Sequence, residues 1–511
     1  MQLPTPVNSS WMLISLLILI IGAPVVYLFG KRFEEKSGWL ATVIAAIATI
    51  IFVVTAGSNV LAGTPIYELY SWNPGMLSLD FGLYADGLST PIAAITMILT
   101  TLATLYSITY LKEEGNKSSS FALMLLYMTG MTGVILATNL LEFFVFWELM
   151  LIPSWAMIVR WGTPGKAARA GFKYFMFTQF GSICILLAIG VTWFISFQAG
   201  SPTLNIYDLN IVASSLATLA VPLYLVGFCV KMAIFPVHTW LPEAHGEAPT
   251  PVSAILSGVM IETAAYGIIR IPVNLFGVTF TDVILFTAGG WVINVSTIIM
   301  IFAVITMIYG GVMAIAQTDT KRLFAYSSVS QMGYILFGIS AVTSLGLAGA
   351  SLHIVTHAFG KGTLFMIAGI LMTQIGHLKG RDITKLSGLA SKMPITATIT
   401  LIAGLSIAGT PPLAGFASEW LIFAGAASAY HIVLLIFAVS STAVTAGYIL
   451  WFIRRVFFGP QREDLSDVKE APWTMLVPVA LLALGAVLIG IFPNIILDYL
   501  LPIAQHIAPL T

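Results

Sequence analysis

Charge is what this sequence has least of. Asp, Glu, Lys and Arg make up 9% of its 511 residues and hydrophobic side chains 58%, against roughly a quarter charged in a soluble domain. That excludes a water-soluble globular chain and leaves an integral membrane protein. The few charges cancel, 22 basic against 22 acidic, so no global positive field calls for nucleic acid as a partner. Cysteine is almost missing too. Cys184 and Cys229 are the only two, both inside apolar segments, which excludes a disulfide framework and a cysteine-held iron–sulfur cluster. No pocket for flavin, nicotinamide or quinone is suggested, so no cofactor is expected in this chain. The opening "MQLPTPVNSS" lacks the basic stretch of a cleaved signal, and residues 11–29 read as a retained first helix.

What is abundant is apolar sequence of membrane length. A window of about 20 residues gives fourteen spans, at 11–29, 39–61, 87–111, 121–138, 140–159, 172–196, 213–238, 252–271, 283–316, 323–342, 345–373, 394–426, 431–456 and 473–496. The expected fold is an all-α polytopic membrane protein in a single domain. Three N-terminal helices occupy 1–111, two five-span repeats 121–271 and 283–456, and a last helix 473–496. Between residues 61 and 87 lies the longest polar interval, too short for a domain.

Basic residues should collect in cytoplasmic loops. Loops after odd-numbered spans hold 19 of the 22, Lys321 among them, which places both termini on the non-cytoplasmic side of an energy-transducing membrane. The exceptions are Arg270 at the end of the eighth span, and Lys231 and Lys361 within spans.

Ionisable groups inside spans cost at least about 2.5–3.5 kcal/mol each and are the functional candidates. They are Glu142 and Glu148 in "LLEFFVFWELMLIPSW", Lys231, Glu262, His353, His357 and Lys361 in "LHIVTHAFGKGTLF", and Glu419 in "AGTPPLAGFASEW". A single opposite-charge pair would read as a structural ion pair; this many groups over five helices do not. His353, His357 and Lys361 fall at i, i+4 and i+8, on one helix face over roughly 12 Å. Imidazole exchanges protons near neutral pH, and a desolvated lysine can join it. The alternatives are histidines bonded to neighbouring helices, or a zinc site for which no third ligand is evident.

Two spans are interrupted beside ionisable residues. Pro236 follows Lys231, with His238 just beyond, and Pro411 and Pro412 precede Glu419. Broken helices at membrane depth belong where a hydrated path is lined, as in inverted-repeat transporters. If the two five-span units are repeats, the seventh and twelfth spans are equivalent and the units run in opposite directions.

"KMAIFPVHTWLPEAHGEAPTPVSAIL", "AQTDTKRLFAYSSVSQMGYI", "LHIVTHAFGKGTLF" and "FFVFWELMLIPSW" together resemble the antiporter-like membrane subunits of respiratory complex I and of Mrp-type sodium/proton antiporters. The resemblance implies fourteen helices with two inverted five-helix repeats. It also implies an ion pair of Glu148 with Lys231, a central relay of His353, His357 and Lys361, and Glu419 on the exit side. "FASEW" looks like the chain M (mitochondrial subunit 4) type or the D-type member of Mrp antiporters. Glu262 departs from the chain M pattern, where lysine is usual, and is expected to pair with one of the lysines.

By resemblance, the chain is the proton- or sodium-translocating subunit of a complex I-related oxidoreductase, NADH-, F420-, ferredoxin- or hydrogenase-linked, with no redox centre of its own. Its partners would be other membrane subunits, including antiporter-like neighbours, a peripheral redox arm reached indirectly, and lipid. The other reading is a subunit of an Mrp-type antiporter without a redox partner.

Overall fold

Backbone polar groups at membrane depth must be satisfied within the chain, and the sequence meets that demand with helices. The computed structural model describes residues 3–7, 9–73, 79–209, 216–288, 291–429 and 431–508. In order come α1 (Trp11–Gly30), α2 (Glu34–Leu61), β1 (Ile66–Asn73), β2 (Leu79–Ala85), α3 (Ser89–Tyr110), α4 (Lys117–Leu136), α5 (Leu140–Trp161) and α6 (Ala167–Gln198). They are followed by α7 (Ala217–Lys231), α8 (Trp240–Glu247), α9 (Thr250–Gly277), β3 (Ile284–Ala288), β4 (Trp291–Asn294), α10 (Val295–Ile315) and α11 (Thr320–Ser340). The chain ends with α12 (Ser344–Ile375), α13 (Pro394–Ile407), α14 (Ala414–Ser428), α15 (Ile432–Phe457), α16 (Trp473–Ile491) and α17 (Asn494–Ile507).

Among the described residues, eleven helices are long and apolar enough to cross a bilayer. α11 is as long as α10 but carries Lys321, Arg322, three serines and Gln331 among its first 12 of 21 residues. Two more crossings are made by broken pairs, α7 with α8 and α13 with α14, which accounts for the fourteen expected spans. At the centre stand α9 and α12, enclosed by protein almost throughout. α12 packs against α3, α9, α11, α13, α14, α16 and α17. On the periphery Leu28, Ile50, Phe172 and Ile436 of α1, α2, α6 and α15 are more than half exposed.

Several boundaries differ from the sequence expectation. The ninth span begins at Val295, not 283, because Asn294 caps it by accepting from the Thr297 N–H and hydroxyl at 2.8 Å. The residues before it pair as β3 and β4. The polar interval after the second span is the antiparallel hairpin β1–β2, with Ile66 opposite Ala85. The seventh helix stops at Lys231, and the start expected at 213 lies outside the described residues. The last span ends at Ile491, and an unexpected helix follows. In α17, Ile496, Leu497, Leu500 and Ala504 are buried while Asp498 and His506 face outward.

Lys321 is not where loop placement put it, and Arg270, at the end of the eighth span, is buried as well. Lys321 is 1% exposed and gives its Nζ proton to the Ala248 carbonyl, freed by the end of α8. Arg270 is 1% exposed, with Nη2 2.7 Å from both oxygens of Asp86. Asp86 is fixed there because it caps α3, accepting from the Leu88 and Ser89 N–H groups. Elsewhere the basic loops are tied at the surface. Hydrogen bonds from Arg462 and Lys379 hold the Asp464 carboxyl down at about 2.

The two broken crossings share one backbone form. Ala233 (φ 56°) and Gly409 (φ 65°) adopt left-handed conformations, and cis bonds precede Pro236 and Pro412. The Ile234 N–H donates to Cys229 O and the Thr410 N–H to Leu405 O, both at 3.0 Å. Corresponding positions lie 176 residues apart. In the first break the Val230 carbonyl is satisfied by Trp240 Nε1 at 2.9 Å, which is how a helix gap survives away from bulk water.

Candidate functional site

Lys231 is the last residue of α7, and the break turns its side chain toward α5 and α6. Its Nζ lies 5.3 Å from the Trp147 ring centroid and 5.7 Å from that of Tyr174. Both rings are held by hydrogen bonds, Trp147 Nε1 to Ser182 at 3.1 Å and Tyr174 to the Ser154 hydroxyl at 2.8 Å. The expected ion pair with Glu148 is not formed. Among the described residues, Lys231 Nζ and Glu148 Oε1 each lack a hydrogen-bond partner, and Trp147, the residue before Glu148, presents its ring face to the amine instead.

The second group joins the two central helices. His357 Nδ1 and Glu262 Oε1 are in direct hydrogen-bond contact, both side chains fully buried. Glu262 is thus paired with a histidine and not with a lysine as expected. The reason is register, since the middle of α9 lies against the middle of α12 and His357 faces it. Glu262 Oε2 and His357 Nε2 remain without partners. One turn along, the His353 ring lies 6.1 Å from that of His357 at an interplanar angle of 25°, so the predicted ladder does share one face. One turn the other way, Lys361 Nζ donates to the Ser327 hydroxyl and approaches Phe324 O at 3.4 Å.

Around this ladder runs a set of hydroxyls. His353 Nδ1 meets Ser418 at 2.9 Å and Nε2 meets Gln331 Oε1 at 2.8 Å. Ser327 continues to the Tyr448 hydroxyl at 2.6 Å. Beside it Thr445 donates to Ser441 O at 3.3 Å, and the Ser441 hydroxyl donates to that of Tyr334 at 2.7 Å. Glu419, 4% exposed, lies within electrostatic reach of both tyrosines. The sequence reading missed this set because it followed charge. The available signal was Ser441, Thr445 and Tyr448 at i, i+4 and i+7, on one face of a largely apolar helix.

The secondary candidates stand apart. Glu142 accepts from the Gly82 N–H at 3.2 Å and ties β2 to α5. His238 lies in the first break with its ring 4.7 Å from that of Tyr309. It borders a polar cavity of about 620 Å³ shared with Lys173, Glu243 and Arg322. Chemically, the ladder sets acids, bases and hydroxyls in succession along one helix face, groups that can exchange protons where water bridges them.

Comparison with known proteins gives consistent results. The family described as "NADH:quinone oxidoreductase/Mrp antiporter, TM" matches residues 137–445, and "NADH-Ubiquinone oxidoreductase (complex I), chain 5 N-terminus" matches residues 72–122. NAD(P)H-quinone oxidoreductase chain 4 1 of Synechococcus elongatus is 34% identical over 85% of this chain and 79% of its own length. F(420)H(2) dehydrogenase subunit M of Methanosarcina mazei is 29% identical over 99% and 98%. Among solved structures, a chain of an archaeal membrane-bound sulfane sulfur reductase superposes with TM-score 0.82 at 31% identity, over 93% of this chain and 75% of that one. Respiratory complex I from Thermus thermophilus gives 0.85 at 25% identity, over 98% and 99%. The Mrp complex from Dietzia sp. gives 0.84 at 21% identity, over 98% and 98%, a likeness of fold.

Proposed function

Since this chain belongs to the NADH:quinone oxidoreductase/Mrp antiporter membrane family, we infer that it carries protons across the membrane as one subunit of a redox-driven complex related to complex I. The observation that carries the reading is the buried Glu262–His357 contact between the two central helices, continued by His353 and Lys361 on one face of α12. A carboxylate, two imidazoles and an amine in a water-poor interior cost too much to be kept for packing alone. In such surroundings each charge movement acts on its neighbours more strongly than at a surface.

In this reading Glu148 and Lys231 respond to charge near the first break, and the Glu262–His357–Lys361 group relays a proton toward the second. Ser327, Tyr448 and Glu419 then carry it on. The hydroxyls donate and accept together, so they pass a proton without holding a charge. The chain supplies the ion path, and electron transfer belongs to partner chains, as the names of its redox relatives suggest. Those relatives favour a redox complex, whereas the likeness to the Mrp structure is one of fold. Replacing Lys361 by Met in the assembled complex tests the reading through ion transport per electron in sealed vesicles.

A further inference from the structure

Two polar cavities at the basic end of the molecule meet at one carboxylate. One, of about 430 Å³, is bordered by Lys166, Asp319, Arg322, His377 and Arg381, and the other is the 620 Å³ cavity that reaches His238. Glu247, the last residue of α8, lines both and is 5% exposed. Its Oε1 lies 3.6 Å from Arg381 Nη2, but Arg381 is held more closely by Asp319. Its Oε2 has no hydrogen-bond partner among the described residues. A buried acceptor left unpaired is costly, so a merely structural counter-ion to Arg381 would be expected to use both oxygens.

Inward from Glu247 the charged groups continue. Lys321 is buried, bonded to Ala248 O and within electrostatic reach of Glu247. His245 is fully buried, with its ring stacked 4.7 Å from Phe365 and neither ring nitrogen partnered among the described residues. It lies within electrostatic reach of both Lys321 and Lys361. This succession runs from the cavities to the central ladder and bypasses Glu148 and Lys231.

We propose that Glu247 is a proton-uptake residue serving the central relay directly, through Lys321 and His245 to Lys361. The proposal rests on the proton-relay reading above. The Glu247 carboxylate takes a proton from a hydronium ion in the cavity, leaving water. It passes that proton to the amine form of Lys321, which gives it to neutral His245, which gives it to the amine of Lys361. Glu247, Lys321 and His245 each return to their starting states. The charged groups and histidines lining these cavities with Glu247 are Arg381, His377 and Asp382 after α12, Asp319 and Arg322 at the start of α11, Lys166, Arg169 and Lys173 at the start of α6, and His238 and Glu243 in and after the first break, with Lys321 within electrostatic reach. Burial, with the charges of Lys321 and Arg381, holds His377 below the usual imidazole range.

The test uses the assembled complex in sealed vesicles with the basic face outward. Ion transport per electron is read with a pH dye while the outside pH is varied. Glu247→Gln is expected to lower transport several-fold and displace its pH profile, while Glu247→Asp retains transport with a displaced profile. Wild-type transport and profile in Glu247→Gln would overturn the proposal. If that variant does not assemble, an undisplaced profile in Glu247→Asp overturns it. Lys361→Met separates the two ideas. Loss of transport there with none in Glu247→Gln removes only the uptake role, whereas normal transport in Lys361→Met removes the relay itself.

Discussion

At the residue scale, the interior shows how a lysine is kept in a membrane without a counter-ion. Lys231 lies over two fixed ring faces, and a desolvated cation over an aromatic ring gains about 2 kcal/mol. Glu148 acts on it through space only. A residue that works by its field should be replaceable in shape but not in charge. Glu148→Gln is expected to leave assembly intact and reduce ion transport per electron roughly tenfold, the effect of about 1.4 kcal/mol on one step. Vesicle transport with assembly checked by native gel measures it, and unchanged stoichiometry would show that the carboxylate does not gate. The spacing of His353, His357 and Lys361 was legible in the sequence because one helix fixes it. Their partners Glu262, Gln331, Ser418 and Ser327 were not, because contacts between helices depend on registers that no single segment encodes.

At the element scale, the two helix breaks are the distinctive devices. Prolines beside ionisable residues made both legible, but their common backbone was not, since the left-handed position is alanine in one and glycine in the other. Gly409 is the more constrained, because a Cβ there would run into the Glu419 carboxylate. Gly409→Ala should therefore cost about 1–3 kcal/mol in backbone strain and displace Glu419. A lower thermal midpoint of the solubilised complex, together with reduced transport, is the expected result. An unchanged midpoint would mean that the break tolerates a side chain. α17 was missed because its apolar residues form an amphipathic stripe too short for a membrane window. β3 and β4 were missed because their apolar residues run into the membrane window of the next span, and β1 and β2 were missed, although Leu79, Phe81 and Leu83 alternate, because each is far shorter than such a window.

At the scale of the whole molecule, the fourteen crossings follow from hydropathy, and the uneven distribution of basic residues gives a direction. Cysteine at position 385, where Lys385 is half exposed, should react with a membrane-impermeant maleimide from the cytoplasmic side. Cys184 and Cys229 would first be replaced by serine. Labelling from the outside would reverse the topology. A proton relay on α9 and α12 through Glu262, His357 and Lys361 is read out by the ions moved per electron by the assembled complex in sealed vesicles. Lys361→Met is expected to keep electron transfer while transport falls at least about tenfold; wild-type transport per electron would exclude the relay.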